Sequence, residues 1–227
     1  ASPLTPMEGL LDKLPLDAVR GSGNSVRINL SGQCDLVSQE GMSDLITQCV
    51  QPPITSVELL DISGCGLADE VLAAFLRPLQ QVKPRLVKLV LSGNRLTDVG
   101  ASHLAKLLSG MPMPWRELDL SNNAVGQAGA AALLSAVAGN SAYPRRTEDG
   151  AAIPMYLRLE GNLMPEQTVA SVAKEIMQKG RPASGGECLV CCPRDHPKCS
   201  REHCARAWAG GPGPLVHLHL GSAGLVP

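Results

Sequence analysis

A short leucine-rich motif recurs along the chain, and it constrains the fold more than any other feature of the sequence. The motif reads L-x-x-L-x-L-x-x-N-x-L, with conservative replacements, in four segments, residues 57–67, 86–96, 115–125 and 215–225. Looser copies occupy residues 28–33 and 157–162. The anchor residues Ile62, Leu91 and Leu120 are spaced 29 residues apart. A fixed period of this length predicts a solenoid of stacked repeats.

Each position of the motif has a physical reason. Leu89 and Leu91 alternate on a short strand, so both are predicted to point inward while the residue between them points outward. Asn94 and Asn123 come where the chain turns, and we expect their buried amides to bond backbone groups of adjacent turns, with Cys65 replacing Asn in the first copy. Apolar residues at helical spacing predict helices after the strands, at residues 41–50, 70–79, 98–108, 127–137 and 166–177.

The motif resembles the long, helix-bearing leucine-rich repeats of the ribonuclease-inhibitor-like class, which is also seen in the GTPase activators of Ran and in NOD-like receptors. The resemblance implies an α/β solenoid of about six repeats, with parallel strands on a concave face and helices on a convex face. The expected organisation is an N-terminal cap at residues 1–25, repeats at 26–180, a Cys/His-rich insertion at 181–214 and a last, incomplete repeat at 215–227.

Outward positions of successive strands form a mixed-charge strip that the motif assigns to the concave face. Those predicted to contact a partner are Lys88, Glu117, Asp119, Tyr156, Arg158 and His219. The other outward positions are Arg27, Asn29, Leu59, Asp61, Val90 and His217. Tyrosine and arginine are residue types that act as hot spots in protein interfaces. The strip is therefore interpreted either as a protein-docking surface or as a solvated face.

Five of the eight cysteines fall between Cys188 and Cys204, in a tract with little apolar content. Close Cys pairs with further Cys and His residues can supply the four ligands of a structural zinc site. The primary ligand set is Cys188, Cys191, Cys199 and Cys204, with alternates Cys192, His196, His203 and His217. Free thiols in a loop, or disulfides in a secreted protein, are the alternative interpretations.

The regular period is also broken between Leu120 and Leu159, where the excess lies near residues 139–152. These residues are polar and predict a loop on one edge of the solenoid. The loop is interpreted either as a tolerated insertion or as a partner-binding element.

No nucleotide-binding loop or nucleophile elbow is present in the sequence, so the predicted function is a non-enzymatic protein-interaction scaffold. One alternative is an RNA-associated module that uses the Cys/His insertion and its basic neighbours, although a formal net charge of -1 does not favour nucleic acid. The other is a regulator similar to the GTPase activators. We expect no membrane insertion, an intracellular location in cytoplasm or nucleus, and continuation into a longer protein or complex, because the last repeat stops midway.

Overall fold

The computed structural model describes most of the repeat region and parts of its flanks. The described residues are 19–33, 44–47, 49–50, 53–165, 168, 171–173, 175–176, 190–191 and 215–219. Helical residues near the two ends of this part lie at 44–47, 49, 168, 171–173 and 175–176.

Short strands make up the main sheet, and all of its pairings are parallel except the first. The strands in chain order are β1 (Val19–Ser22), β2 (Ser25–Asn29), β3 (Ser56–Asp61), β4 (Arg85–Leu86), β5 (Lys88–Val90), β6 (Glu117–Asp119), β7 (Arg145–Arg146), β8 (Ala152–Ile153), β9 (Met155–Arg158), β10 (Val190–Cys191) and β11 (Val216–His219). The order across the sheet is β1-β2-β3-β5-β6-β9-β11-β10, with β4 paired to β3, while β7 and β8 form a separate hairpin.

Within the part of the chain that the structure describes, three complete helices connect these strands, and they agree with the predicted positions. They are α1 (Asp69–Val82), α2 (Asp98–Gly110) and α3 (Gln127–Gly139). Inward leucines of the strands are register neighbours at 60, 89, 118 and 157, and all are fully buried. They share one hydrophobic core with helix residues such as Leu76, Leu104 and Leu133. The helices therefore cover one face of the sheet, and the other face, here called the open face, carries the alternate side chains.

An asparagine ladder, consisting of Asn94, Asn123 and Asn162, links successive repeats at the turns. The amide nitrogen of Asn123 donates to the carbonyls of Leu91 and Leu120 at 2.9 and 3.0 Å, and its oxygen accepts from the N–H of Leu96 at 3.0 Å. Asn94 and Asn162 make the equivalent bonds one repeat earlier and later. The predicted role of the motif asparagine is confirmed, and Cys65 replaces it by directing its thiol to the carbonyl of Leu30 at 3.3 Å.

Both insertions that break the period contribute strands to the fold. The insertion near residues 139–152 forms the β7–β8 hairpin and is anchored by Tyr143, which is buried and accepts a hydrogen bond from the N–H of Trp115 at 2.8 Å. Trp115 is also buried, as expected for a packing residue. The second insertion contributes β10, which pairs with β11 on the side away from β9. The last strand of the described chain therefore lies inside the sheet and not at its edge.

Candidate protein-binding face

The open face presents two rows of side chains that cross the parallel strands. The strand-start row consists of Arg27, Leu59, Lys88, Glu117, Tyr156 and His217. The strand-end row consists of Asn29, Asp61, Val90, Asp119, Arg158 and His219. Because register partners in a sheet point to the same face, each row is a continuous strip of neighbouring side chains. All six residues predicted to contact a partner lie in these two rows.

Glu117 is buried, although its place in the motif predicted an outward side chain. Its carboxylate lies 2.9 Å from the ammonium group of Lys88 on the neighbouring strand, and only 9% of the Glu117 side chain is exposed. Lys88 covers the carboxylate and neutralises its charge, which a buried carboxylate requires. The two residues therefore form a structural ion pair on the open face, with the lysine on its accessible side.

Asp119 is buried in a second ion pair. One carboxylate oxygen accepts from the guanidinium of Arg158 at 2.7 Å, and the other accepts from the backbone and hydroxyl of Ser121 at 3.0 and 2.7 Å. Arg158 also pairs with Glu160. Burial works against the charged guanidinium, but the hydrogen bond to Glu160 and the charges of Asp119 and Glu160 outweigh it, so the pKa of Arg158 is raised above its ordinary value. This network ties β6 to β9.

Tyr156 and the two histidines of β11 form the C-terminal end of the rows. The ring of Tyr156 stacks on that of His219, with centroids 6.1 Å apart and an angle of 29° between the planes. Both rings are partly exposed, whereas His217 is fully buried. His217 was predicted to be an outward position, and its burial removes it from the accessible part of the face.

A groove follows the strand-start row. It is also lined by the residues that come one position earlier in the chain on three of the strands. It has a volume of about 310 Å³ and is lined by Arg27, Glu58, Leu59, Val87, Lys88, Arg116, Glu117 and Tyr156. Arg27 and Arg116 are exposed, and Leu59 and Tyr156 are partly exposed. The groove therefore combines accessible cations with apolar and aromatic surface.

Comparison with known families matched two segments of the chain. A family model described as leucine-rich repeat matches residues 84–105 and 116–134. These two segments are similar to leucine-rich repeats. The parallel sheet with a helix between successive strands fits this family. Comparison with curated proteins gave no significant match.

Among solved structures, the chain is similar to the actin-binding site 2 of leiomodin-1. The identity is 15% and the TM-score 0.47, and the alignment covers 63% of this chain and 75% of that chain. These values are too low to indicate a shared ligand. None of the described helices combines the length and apolar character that a membrane span requires.

Sequence reasoning missed part of the groove. Glu58, Val87 and Arg116 line it, but each precedes the alternating positions of the motif and so carries no periodic signal. The register between β2 and β3 shifts between Val26 and Arg27, which opposes one residue of β2 to two of β3. Such a bulge redirects side chains locally and cannot be deduced from a spacing of leucines.

The predicted zinc ligands lie almost entirely beyond the described residues. This applies to Cys188, Cys192, His196, Cys199, His203 and Cys204. For Cys191 the backbone is described, and it is the register partner of His217 across the β10–β11 pair. Among the described side chains, no group of three His, Cys, Asp or Glu residues is arranged to hold a metal ion.

Proposed function

We propose that this chain is a non-enzymatic protein-interaction module and that its partner binds the groove on the open face. The observation that carries the proposal is the groove itself, which exposes Leu59 and Tyr156 among cationic side chains. An interface core of apolar and aromatic residues surrounded by polar groups is typical of protein-binding surfaces.

The asparagine ladder and the ion pairs support a rigid binding surface. They connect each repeat to the next through buried hydrogen bonds, so the open face is held in one conformation before a partner arrives. A preorganised surface loses little conformational entropy on binding. We assign Glu117, Asp119 and Arg158 to this structural role, and Tyr156, Leu59 and Arg27 to contact with the partner.

Affinity capture with three matched variants tests the proposal. The full chain serves as bait with Tyr156→Ala, Leu59→Ala and, as control, Val99→Ala, which removes an exposed apolar side chain from α2 on the helix side. We expect a protein partner that binds the wild-type chain and the Val99 variant and is lost with the Tyr156 and Leu59 variants. Thermal unfolding of each variant verifies that it is folded. Equal loss with the Val99 variant, or no loss with either groove variant, would contradict binding at the open face.

A structural zinc in the Cys/His-rich insertion is a second proposal, and one observation favours it. Cys191 and His217 are register partners, and neighbouring strands of a sheet lie about 4.8 Å apart. One set of four zinc ligands then consists of Cys191, Cys199, Cys204 and His217. The further candidate ligands from the same tract are Cys188, Cys192, His196 and His203. Thiolate and imidazole are the ligands that structural zinc prefers.

Metal analysis of the purified chain, combined with thiol counting, tests the zinc proposal. We expect one zinc per chain and protection of the insertion cysteines, which a chelator abolishes. Cys191→Ser is expected to lower the zinc content, while Cys65→Ser, at the turn beside the asparagine ladder, leaves it unchanged. A metal-free chain in which the insertion thiols all react would refute the site.

We also propose an intracellular location, cytoplasmic or nuclear. Cys49 and Cys65 are thiols that form no disulfide, which suits a reducing compartment. Imaging of a fluorescently tagged full-length protein tests this, and recovery of the protein in the culture medium would contradict it. The RNA-binding and GTPase-activator alternatives gain no support from the comparisons and are not proposed.

A further inference from the structure

A small pocket, here called the helix-end pocket, lies between the C-terminal ends of α1 and α2. Its lining residues are Gln80, Lys83, Lys106, Leu107, Gly110 and Met111. Leu107 and Met111 are buried and form its apolar part, whereas both lysines and the glycine are exposed. The pocket has a volume of about 140 Å³. An apolar cavity of roughly 150 Å³ holds one benzene molecule, so this pocket accepts one apolar group of similar size.

Lys83 and Lys106 make the surroundings of the helix-end pocket positive. The sequence contains no Asp or Glu between Glu70 and Asp98, and none between Asp98 and Glu117. Glu70 and Asp98 belong to the first turns of α1 and α2, at the opposite ends of these helices. Within the part of the chain that the structure describes, neither lysine forms an ion pair. The two ammonium groups are therefore available to an anionic ligand.

The carbonyl groups at the two helix ends have hydrogen-bond partners other than the lysine side chains. The side-chain amide of Asn140 donates to the carbonyls of Leu108 and Met111 at 2.9 and 3.2 Å. At the end of α1, the backbone N–H of Lys83 donates to the carbonyl of Leu79 at 2.9 Å. The lysine side chains are therefore not needed as caps of these helices.

The size of the charge limits the ligand to about one carboxylate. The C-terminal end of a helix carries roughly half a negative elementary charge. Two ammonium groups beside two such ends leave a net charge of about one positive unit, which one carboxylate neutralises. A matching ligand therefore combines one carboxylate with one apolar group of about the size of benzene.

We propose that the helix-end pocket binds the C-terminal residue of a partner protein, and that this residue is Leu, Met or Phe. The side chain of the terminal residue packs against Leu107 and Met111, and its carboxylate lies between the ammonium groups of Lys83 and Lys106. A chain terminus carries an apolar side chain and a carboxylate on the same carbon atom, so it presents both groups together. This site is separate from the groove on the open face and does not depend on it.

The surroundings of the helix-end pocket suit a protein terminus better than a free acid. Val82 and Met113 are apolar side chains that are 42% and 47% exposed, and they lie one and two residues along the chain from the lining residues Lys83 and Met111. They provide apolar surface for the residues that precede the terminus. A Cβ at Gly110 would meet no atom within 4 Å, so a bound chain has room to leave the pocket there.

Lipids and nucleic acids match the helix-end pocket less well. The acyl chain of a lipid is longer than a space that holds one benzene molecule. A nucleic acid carries one charge on every nucleotide, whereas the helix-end pocket neutralises about one charge in total. No lining residue is aromatic, so a base has no ring on which to stack.

Selection from a library of random peptides of about eight residues, displayed with free C-termini, tests the inference on the full chain. We expect enriched peptides to end in Leu, Met or Phe. The best of them, as a synthetic peptide, should bind in fluorescence anisotropy, and its C-terminal amide should bind about tenfold or more weakly, because close charge pairs at interfaces contribute at least that much. Replacing both lysines, with Lys83→Gln and Lys106→Gln combined, should weaken binding of the free acid to a similar extent.

The repeat supplies a matched pair of variants that block the pocket or leave it open. Gly110 ends α2, Gly139 ends α3 one 29-residue period later, and a Cβ at either position meets no atom within 4 Å. We expect Gly110→Phe to abolish peptide binding and Gly139→Phe to leave it unchanged. Arg77→Gln, an exposed charge on α1 outside the pocket lining, and Tyr156→Ala should also leave it unchanged. Thermal unfolding of each variant verifies that it is folded.

Each contrary outcome overturns the inference at a different step. A selection that enriches no peptides, or enriches them without preference at the last position, would refute capture of a chain terminus. Equal affinity of the free acid and the amide would refute the carboxylate site. Equal losses with Gly110→Phe and Gly139→Phe would place binding outside the helix-end pocket. Displacement of the peptide by hexanoate at equal concentration would assign the pocket to small carboxylic acids, and none of these results bears on binding at the open face.

Discussion

At the scale of single residues, the asparagine ladder connects neighbouring repeats through one amide in each turn. The motif alone predicts Asn94 and Asn123 at this place, because the turn exposes backbone groups that need partners. It cannot predict that Glu117 and Asp119 are buried. Their burial depends on Lys88 of the preceding strand and on Arg158 of the following one, which is separated from Asp119 by an insertion of irregular length.

We expect Asn123→Ala to lower the free energy of unfolding by about 3 kcal/mol, because it leaves the N–H of Leu96 and the carbonyls of Leu91 and Leu120 buried without partners. Cys65→Ala removes only a thiol, a weak donor, and should cost less than about 1 kcal/mol. Urea unfolding of both variants measures the difference. Equal losses would mean that the amide is no better a connector than the thiol.

Because Tyr143 is buried, we expect the protein to lose stability at alkaline pH. Burial raises the pKa of its hydroxyl well above the ordinary range, although the hydrogen bond from the N–H of Trp115 opposes this shift. The folded state therefore retains a proton that the unfolded chain releases, so stability is complete below about pH 10 and falls above it, by up to about 1.4 kcal/mol per pH unit.

Urea unfolding of the wild type and of Tyr143→Phe across this pH range tests the alkaline effect. The variant should have lower stability at neutral pH, by about 1 kcal/mol for the lost hydrogen bond, and a smaller decrease above pH 10. Cys49, whose pKa is raised to about 11 by burial, titrates in both proteins and cancels in the difference. Parallel pH profiles would exclude Tyr143 as the source of the decrease.

At the scale of elements, α2 and α3 are each bonded at their N-terminal ends by a carboxylate from the helix before. Asp98, the first residue of α2, accepts from the N–H groups of Gly126 and Gly129 at 2.6 and 2.8 Å, at the start of α3. Asp69 of α1 accepts from Thr97 in the same way. The helix ranges could be predicted from apolar spacing, but this capping could not, because it depends on how closely the helices approach.

The close approach of α2 and α3 requires a glycine at position 129. A Cβ at this position would lie 2.6 Å from the Asp98 carboxylate and 2.8 Å from the Cβ of Ala101. We expect Gly129→Ala to destabilise the protein by about 1–3 kcal/mol through overpacking, although alanine is the better helix former. Gly139→Ala, at the end of the same helix, meets no atom within 4 Å and should be neutral or slightly stabilising. Thermal unfolding compares the two, and a stable Gly129 variant would contradict the tight contact.

At the scale of the whole molecule, the sheet is a stack in which each strand pairs with its nearest neighbours only. The repeat predicts this order from β3 to β9, because a constant period places each strand beside the previous one. It does not predict that β11 lies between β9 and β10. A two-residue strand such as β10 has no periodicity to detect, and its position depends on pairing with residues 216–217, later in the chain.

Nearest-neighbour stacking predicts that damage to one repeat remains local. We expect Asn123→Ala to raise amide exchange rates most in β5 and β6, whose repeats share the lost bonds, and least in β2 at the far end of the stack. Hydrogen exchange followed by mass spectrometry, with Gly139→Ala as the control, resolves these strands separately. An equal rise in every strand would show instead that the repeats open as one cooperative unit, and the open face would then be rigid only while the entire stack is folded.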